Sequence, residues 1–436
     1  MVRKVLIMGA AGKDFHTFNT MFRDRDDVRI MAFTATQIPG IDGRAYPKEL
    51  AGKGYPDGIH IYPESEVTAL IKKFGVNEVY FAYSDVSYDY VDSRRKIVEA
   101  AGAKFFTPDP KAVMIKSTKP VIAICAVRTG SGKSQTTRRV VEILRAMGKK
   151  AVAIRHPMPY GDLVAQRVQR FATIADMEKA KCTIEEMEEY EPHIAKGAVV
   201  YAGVDYGDIL RAAEKEADVI LWDGGNNDTP FYVPDIHICV ADPHRPGHEL
   251  SYYPGRENFT MASVIVINKC DSAKRENIES IKANARKYNP TATVIEANSP
   301  VTAENAGSLK GKKVLVIEDG PTLTHGEMKY GAGIVFAQKM GAIPVDPRKW
   351  AVDTIADTFR KYPNTGELLP CMGYSDKQIK DLEQTINNTP CDAVIVATPI
   401  DLARIVKIKH PSFRVNYELE EIGHPNLEDI IRAKIS

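Results

Sequence analysis

Seven consecutive residues, Arg128-Thr129-Gly130-Ser131-Gly132-Lys133-Ser134, bring together two glycines, a lysine and several hydroxyls. Glycines let a loop curl so that successive backbone N–H groups aim at one oxyanion, a lysine adds a mobile positive charge, and a serine hydroxyl can ligate Mg²⁺. That set fits the phosphates of a nucleoside triphosphate. Lys133 is expected on the β- and γ-phosphates and Ser134 on Mg²⁺, with Thr129, Gly130, Ser131, Gly132 and Gln135 lining the nucleotide and Arg128 joining Lys133 in stabilising the transferring phosphoryl group. The flanks agree. The apolar run Val121–Val127 reads as a strand. The following stretch carries Val140, Val141, Ile143, Leu144 and Met147 on one helical face and stops at Gly148. Strand, loop and helix N-terminus are the context that a P-loop requires, and the helix dipole favours the anion. One residue departs from the full pattern: Val127 stands where its first glycine is expected.

Two later strand ends carry matching chemistry. Asp223 closes the apolar run Asp218–Trp222, where a carboxylate suits Mg²⁺. Asn268-Lys269-Cys270-Asp271 follows the run Ser263–Ile267 and resembles the NKxD motif of GTP-binding proteins, in which the carboxylate accepts both ring protons of guanine while Asn and Lys brace the site. Ala297 and Asn298 end the next strand, where such proteins place a second base-contacting loop. The expected ligands are therefore Mg²⁺ with GTP or ATP, guanine being favoured by the Asn268–Asp271 run; the alternative for that run is an ordinary strand-end turn. The order of these motifs resembles the SIMIBI class of P-loop proteins.

Further polar loops lie at expected strand ends, where ligands bind open α/β sheets. They are Arg155-His156, the loop holding Arg245 and His248, and the stretch holding Asp319, Thr322, Thr324 and His325. Guanidinium, imidazole and hydroxyl groups suit an anionic, phosphorylated substrate; fold-holding loops are the alternative. The opening loop Gly9-Ala10-Ala11-Gly12-Lys13-Asp14 resembles a dinucleotide-type phosphate loop without its full spacing, so Gly9 and Gly12 are substrate candidates or members of a tight turn.

The elements that must hold these residues alternate. Short apolar runs and amphipathic stretches follow one another along the chain, which predicts an α/β fold with mostly parallel sheets. Residues 1–118 read as a Rossmann-like domain, 119–310 as a SIMIBI-type P-loop NTPase domain with a charged helical insertion at about 160–217, and 311–436 as a third α/β region, either continuous with the P-loop domain or apart from it.

Bulk properties narrow the partners. The 58 basic and 57 acidic side chains nearly cancel, which gives no overall pull toward nucleic acid or an anionic membrane. The six cysteines form no CxxC pair, and no apolar run reaches the roughly 20 residues of a membrane span. A cytoplasmic protein is expected.

Taken together, GAAGKDFH, AVRTGSGKSQTTR, DGGNND, DPHRPGHE and EDGPTLTHGEMKYGAG resemble the cyclic 2,3-diphosphoglycerate synthetase-like family, also labelled predicted GTPases, over most of the chain. The resemblance implies a Rossmann-like domain joined to a SIMIBI-type domain. It also implies an enzyme that uses ATP to close an intramolecular phosphoanhydride. Pairing across the nucleotide site in SIMIBI relatives implies a homodimer. The function expected is Mg²⁺-dependent phosphoryl transfer to a small anionic molecule; the alternative is a regulatory or metallochaperone-type GTPase acting on a protein partner.

Overall fold

The computed structural model describes residues 2–36, 41, 43–156, 161–225, 228–303, 307, 309–320, 323, 329–373 and 375–435. Among these residues the strands form sheets of six, nine and six strands and one two-stranded ribbon.

The first sheet contains β1 (Arg3–Met8), β2 (Val28–Ala35), β3 (Ala45–Tyr46), β4 (Ile59–Pro63), β5 (Glu78–Phe81) and β6 (Lys104–Phe106), ordered β3-β4-β2-β1-β5-β6. All its pairings are parallel except β3 with β4. Helix α1 (Lys13–Met21) follows β1 directly. The short strands β3 and β4 are not evident in the sequence, because neither is a continuous apolar run.

The nine-stranded sheet holds β7 (Val121–Ala126), β8 (Ala151–Arg155), β9 (Gln169–Phe171), β10 (Val199–Ala202), β11 (Val219–Trp222), β12 (Ile236–Ala241), β13 (Val264–Ile267) and β14 (Thr293–Asn298). Every residue of β7, β11, β12 and β13 is buried, as expected of parallel strands covered on both faces. Three helices matter for the site: α2 (Lys133–Ala146), α3 (Ile184–Ala195) and α4 (Gly255–Met261). The stretch 160–217, expected to be a helical insertion, also supplies two strands. β10 pairs in parallel with β8, and β9 pairs antiparallel with β10.

The third sheet comprises β15 (Val301–Ala303), β16 (Lys313–Asp319), β17 (Ile343–Pro344), β18 (Leu369–Cys371), β19 (Ala393–Ala397) and β20 (Ser412–Tyr417), ordered β15-β20-β19-β16-β17 with β18 also on β16. The chain then returns. β21 (Glu420–Ile422) adds antiparallel to β14, completing the order β9-β10-β8-β11-β7-β12-β13-β14-β21, and α5 (Leu427–Lys434) packs on α2. The C-terminal region thus has its own sheet and lends one strand to the central one. None of the described helices is long and apolar enough to cross a membrane.

Candidate functional site

The parallel strands bring the loop after β7, Asp223 after β11, Asp242 after β12, Asn268 after β13 and Asn298 at the end of β14 to one edge of the central sheet. The P-loop itself turns through Gly130 and Gly132, whose φ angles of +81° and +113° lie in the region that favours glycine. Val127 keeps strand pairing, donating its N–H to Val240 O at 3.0 Å. Gly255 on α4 lies so close to Val127 O that a Cβ there would collide with it. Clearance that the motif usually obtains inside the loop is supplied by a glycine on a neighbouring helix.

The loop is clamped through its carbonyls. Lys269 Nζ donates to Gly130 O (2.6 Å), Asn268 Nδ2 to Ser131 O (3.1 Å) and Arg245 Nη2 to Thr129 O (2.9 Å). Asp242 Oδ2 lies 2.9 Å from Lys269 Nζ and 3.0 Å from Arg245 Nη2 and so organises both clamps. Burial would raise the Asp242 carboxyl, but the Lys269 and Arg245 charges outweigh it and hold the group down at about 2. Asp271 accepts the Ser299 N–H at 3.0 Å, Ala297 O accepts the Cys270 N–H at 2.9 Å, and Ser299 Oγ donates to Gln135 Oε1 at 3.0 Å. The Asn268–Asp271 run therefore ties the P-loop to the loop that begins at Asn298.

Lys133 opens α2 and reaches Asp223, its Nζ 2.6 Å from Oδ1. The other carboxylate oxygen meets Arg155 Nη1 and His193 Nε2, each at 2.9 Å. Asp223 is 1% exposed. Burial alone would raise its pKa, yet the Arg155 and Lys133 charges and the His193 hydrogen bond hold it well below the usual carboxylate range. Burial, reinforced by the Arg155 charge, lowers Lys133 to about 8. Arg155 also donates to Asp223 O (2.6 Å) and pairs with Glu189. It is an interior strut of the P-loop edge and not a side chain facing an open substrate site. His193, on α3, has no signal in the sequence: a lone histidine after a proline inside a charged helix is indistinguishable from a surface residue.

Arg128 also differs from expectation. It is 2% exposed, pairs through Nε with Asp85 Oδ1 (2.8 Å), lies over the Tyr252 ring at 3.7 Å and comes within 3.4 Å of His248 Nδ1. Asp85 also accepts the Thr129 N–H at 3.2 Å. This arginine links the first sheet to the P-loop. Burial and the Arg128 charge lower His248 to about 4.

The opening loop lies against the same edge. A Cβ on Gly12 would strike the His156 ring, and His156 Nε2 is 3.0 Å from Asp228 Oδ2, a carboxylate that Ser84 also contacts. The Asp14 carboxylate occupies the loop, accepting from Ala11 N (2.6 Å) and Phe15 N (2.7 Å), while Gly9 (φ +131°) makes room for it. Asp319 ends β16; Thr322, Thr324 and His325 lie outside the described residues.

For Mg²⁺, the fit is favourable in chemistry: Ser134 supplies a hydroxyl in the first turn of α2, and Asp223 supplies an ionised carboxylate beside Lys133. Both Asp223 oxygens take N–H donors, so an ion would compete with Lys133 for this carboxylate.

No family model matches the chain. A curated protein of Thermococcus kodakarensis, "Arginine synthetase ArcE", is 58% identical over 430 residues, covering 98% of this chain and 96% of the relative. The chain belongs to the family of arginine synthetase ArcE. It is an enzyme, and the family name is that of a synthetase of arginine, not of a cyclic diphosphoglycerate. Among solved structures, LpxK from Aquifex aeolicus in complex with ATP is 12% identical, with a TM-score of 0.45 over 85% of this chain and 100% of that one. A nucleotide-binding protein in complex with ADP from Archaeoglobus fulgidus is 17% identical, with a TM-score of 0.23 over 40% and 80% of the two chains.

Proposed function

We propose that the chain is a Mg²⁺-dependent P-loop synthetase that uses a nucleoside triphosphate to build arginine. Arginine is supported by the 58% identity to arginine synthetase ArcE, and the triphosphate by Lys133 held 2.6 Å from Asp223 at the end of a loop clamped by Asn268, Lys269 and Arg245. In this reading Lys133 exchanges Asp223 for the β- and γ-phosphates when nucleotide enters. Thr129 to Gln135 line the phosphates; Asp271, Ala297 and Asn298 face the base. Ser134 and Asp223 would hold Mg²⁺, which neutralises charge on the phosphates when bound. Arg128 and Arg155 act as positioning residues, through Asp85 and Asp223. The Asn268–Asp271 run supports guanine as the base.

The reaction class follows from the product. The guanidino carbon bears only nitrogen, so a phosphoryl group is useful if placed on an oxygen of the precursor. That oxygen then leaves as phosphate when an amine nitrogen attacks, and the balance is one triphosphate converted to diphosphate and phosphate. Within this reading residues 1–118 are a Rossmann-like domain beside a SIMIBI-type domain at 119–310, with 311–436 as a third, and two copies pair across the nucleotide site.

The test runs the reaction backwards. The protein is mixed with Mg²⁺, phosphate, L-arginine and either ADP or GDP, and phosphorus NMR follows the nucleotide. Arginine-dependent triphosphate is expected, and the better diphosphate identifies the base. A cyclic product from ATP or GTP with 2,3-diphosphoglycerate, without any arginine-dependent signal, would replace arginine by that substrate. Triphosphate hydrolysis that needs no small molecule would favour a regulatory GTPase.

A further inference from the structure

The edge of the central sheet carries a histidine that the phosphate site does not use. His156 stands directly after β8, and its neighbours tie it to Asp223 from both sides. Arg155, the residue before it, touches the Asp223 carboxylate. The ring of Trp222, which precedes Asp223, lies 5.8 Å from the imidazole, and a Cβ on Gly225 would come within 3.3 Å of it. Opposite these, the imidazole abuts Gly12 of the opening loop, and the rings of Tyr206 and Phe231 stand at 5.6 and 5.4 Å. Aromatic walls and two glycines hold the side chain in place and leave it 15% exposed.

A carboxylate faces it. Asp228 is 2% exposed; one of its oxygens takes the hydroxyl of Ser84, and the other lies 3.0 Å from His156 Nε2. The contact is one of charge, since Nε2 makes no aligned hydrogen bond among the described residues. A carboxylate at that distance compensates the positive charge that an imidazole acquires with a second proton. The neighbouring titratable groups are engaged. His16 meets Val113 O through Nε2 at 2.7 Å, and burial lowers it to about 3, so it stays neutral. Lys13 donates to Tyr253 OH, Asp14 takes N–H groups of its own loop, and Arg155 pairs with Asp223 and Glu189.

Arginine formation by phosphoryl activation needs a base. As the amine nitrogen bonds to the guanidino carbon, the bond from that carbon to the phosphorylated oxygen breaks and its electron pair leaves with phosphate. The nitrogen then sheds a proton, which a side chain must take. Lys133 is committed to the phosphates, and Asp223, held well below the usual carboxylate range, is a weak base. An imidazole exchanges its proton near neutral pH and suits the task.

We propose that His156 is the proton acceptor for amine attack, with Asp228 and Ser84 as positioning residues behind it. This assignment rests on the arginine synthetase reading and supplies the base that the phosphate site lacks.

In the reverse direction the protonated imidazole returns the proton to the nitrogen that leaves as phosphate attacks the guanidino carbon. The test is therefore phosphorus NMR of triphosphate formed by the full chain from L-arginine, phosphate, Mg²⁺ and ADP or GDP, with ATP and GTP affinity measured in parallel. His156→Ala should lower the maximal rate by about 10²–10⁴-fold while KM for arginine and nucleotide affinity hold, and added imidazole should restore part of the rate. Asp228→Asn should lose less and gain nothing from imidazole, because the ring still fills its place. A loss below about tenfold in His156→Ala overturns the assignment. A loss that imidazole does not restore overturns it as well, marking a ring that only holds the structure together. Full activity in Asp228→Asn overturns the pairing with that carboxylate. If the natural protein forms no arginine-dependent triphosphate, the synthetase reading itself fails and the base falls with it.

Discussion

Two glycine-rich loops follow the leading strands of the first two sheets, and they solve opposite problems. In the loop after β7, side chains from other strands hold the carbonyls: Lys269 on Gly130, Asn268 on Ser131 and Arg245 on Thr129. The first bond within α2 runs from Thr136 N to Gly132 O, so the N–H groups of its opening turn have no acceptor inside the helix and are left for a ligand. In the loop after β1 the arrangement is reversed. Asp14, the loop's own carboxylate, takes the N–H groups of Ala11 and Phe15 and fills the space that Gly9 leaves. A glycine pattern therefore shows that a loop can curl; which groups take its N–H donors decides whether an anion can enter.

The largest expected effect separates the loops by their lysines. Lys133→Ala should lower nucleotide-dependent turnover by about 10²–10³-fold, the usual result of removing a donor that meets developing charge. Lys13, whose Nζ donates to Tyr253 OH at 2.9 Å, should tolerate alanine with nucleotide affinity within a few-fold. Titrating both variants with ATP and GTP checks this, and equal losses would erase the distinction between the loops.

The carboxylates of the two regions should respond oppositely to pH. Burial raises Asp14 to about 7, so between about pH 4 and 7 the folded state holds a proton that the unfolded chain has released. Its contribution to stability is greatest below pH 4 and declines as pH rises toward 7, by on the order of 2–4 kcal/mol. Asp242, held down at about 2, contributes above pH 4 and loses that contribution as pH falls toward 2. Urea midpoints across pH should show Asp14→Asn flattening the neutral limb and Asp242→Asn flattening the acid limb. A neutral limb unchanged in Asp14→Asn would show that the proton held by Asp14 does not set the stability there.

Much of this site is legible in the sequence, for a physical reason. Gly130, Gly132, Lys133 and Ser134 are placed by local backbone shape, and Asp223 and Asn268 by strand ends, so spacing along the chain reports their positions. The Lys269 clamp is readable for the same reason. Contacts made across elements leave no such trace. Nothing in Asp85, His193 or Asp242 reveals that Arg128, Asp223 and Lys269 will meet them. The misplacement of Arg155 arises here too: a strand-end arginine suggests a substrate ligand until its carboxylate partner appears. Asp14 is more accessible, since an acidic residue in the first turn after a glycine loop competes for the same N–H groups as a phosphate.

The two clamps on the P-loop should differ in strength. Lys269→Ala removes a charged donor from Gly130 O and leaves Asp242 with Arg245 as its remaining cation partner among the described residues, so a loss of about 1.5–3 kcal/mol in nucleotide binding is expected, roughly 10- to 150-fold. Fluorescent-nucleotide titration measures it, and no change would mean the clamp is already open when nucleotide binds.

Asn268→Ala should cost least. Its Nδ2 makes a neutral hydrogen bond to Ser131 O, and its Oδ1 is buried without a donor among the described residues, so truncation also relieves one unsatisfied acceptor. A net loss of about 0.5–1.5 kcal/mol follows, a few-fold in affinity. The amide also lies where a Cβ on Gly132 would fall, so Gly132→Ala alone should suffer both collision and backbone strain at φ +113°. Adding Asn268→Ala should relieve the tighter part of the collision and leave both the strain and the approach to Gln135 Nε2, which a Cβ would meet at 2.7 Å. The double variant should therefore bind nucleotide better than Gly132→Ala and worse than Asn268→Ala. Strictly additive losses would show that the amide is not what confines the glycine.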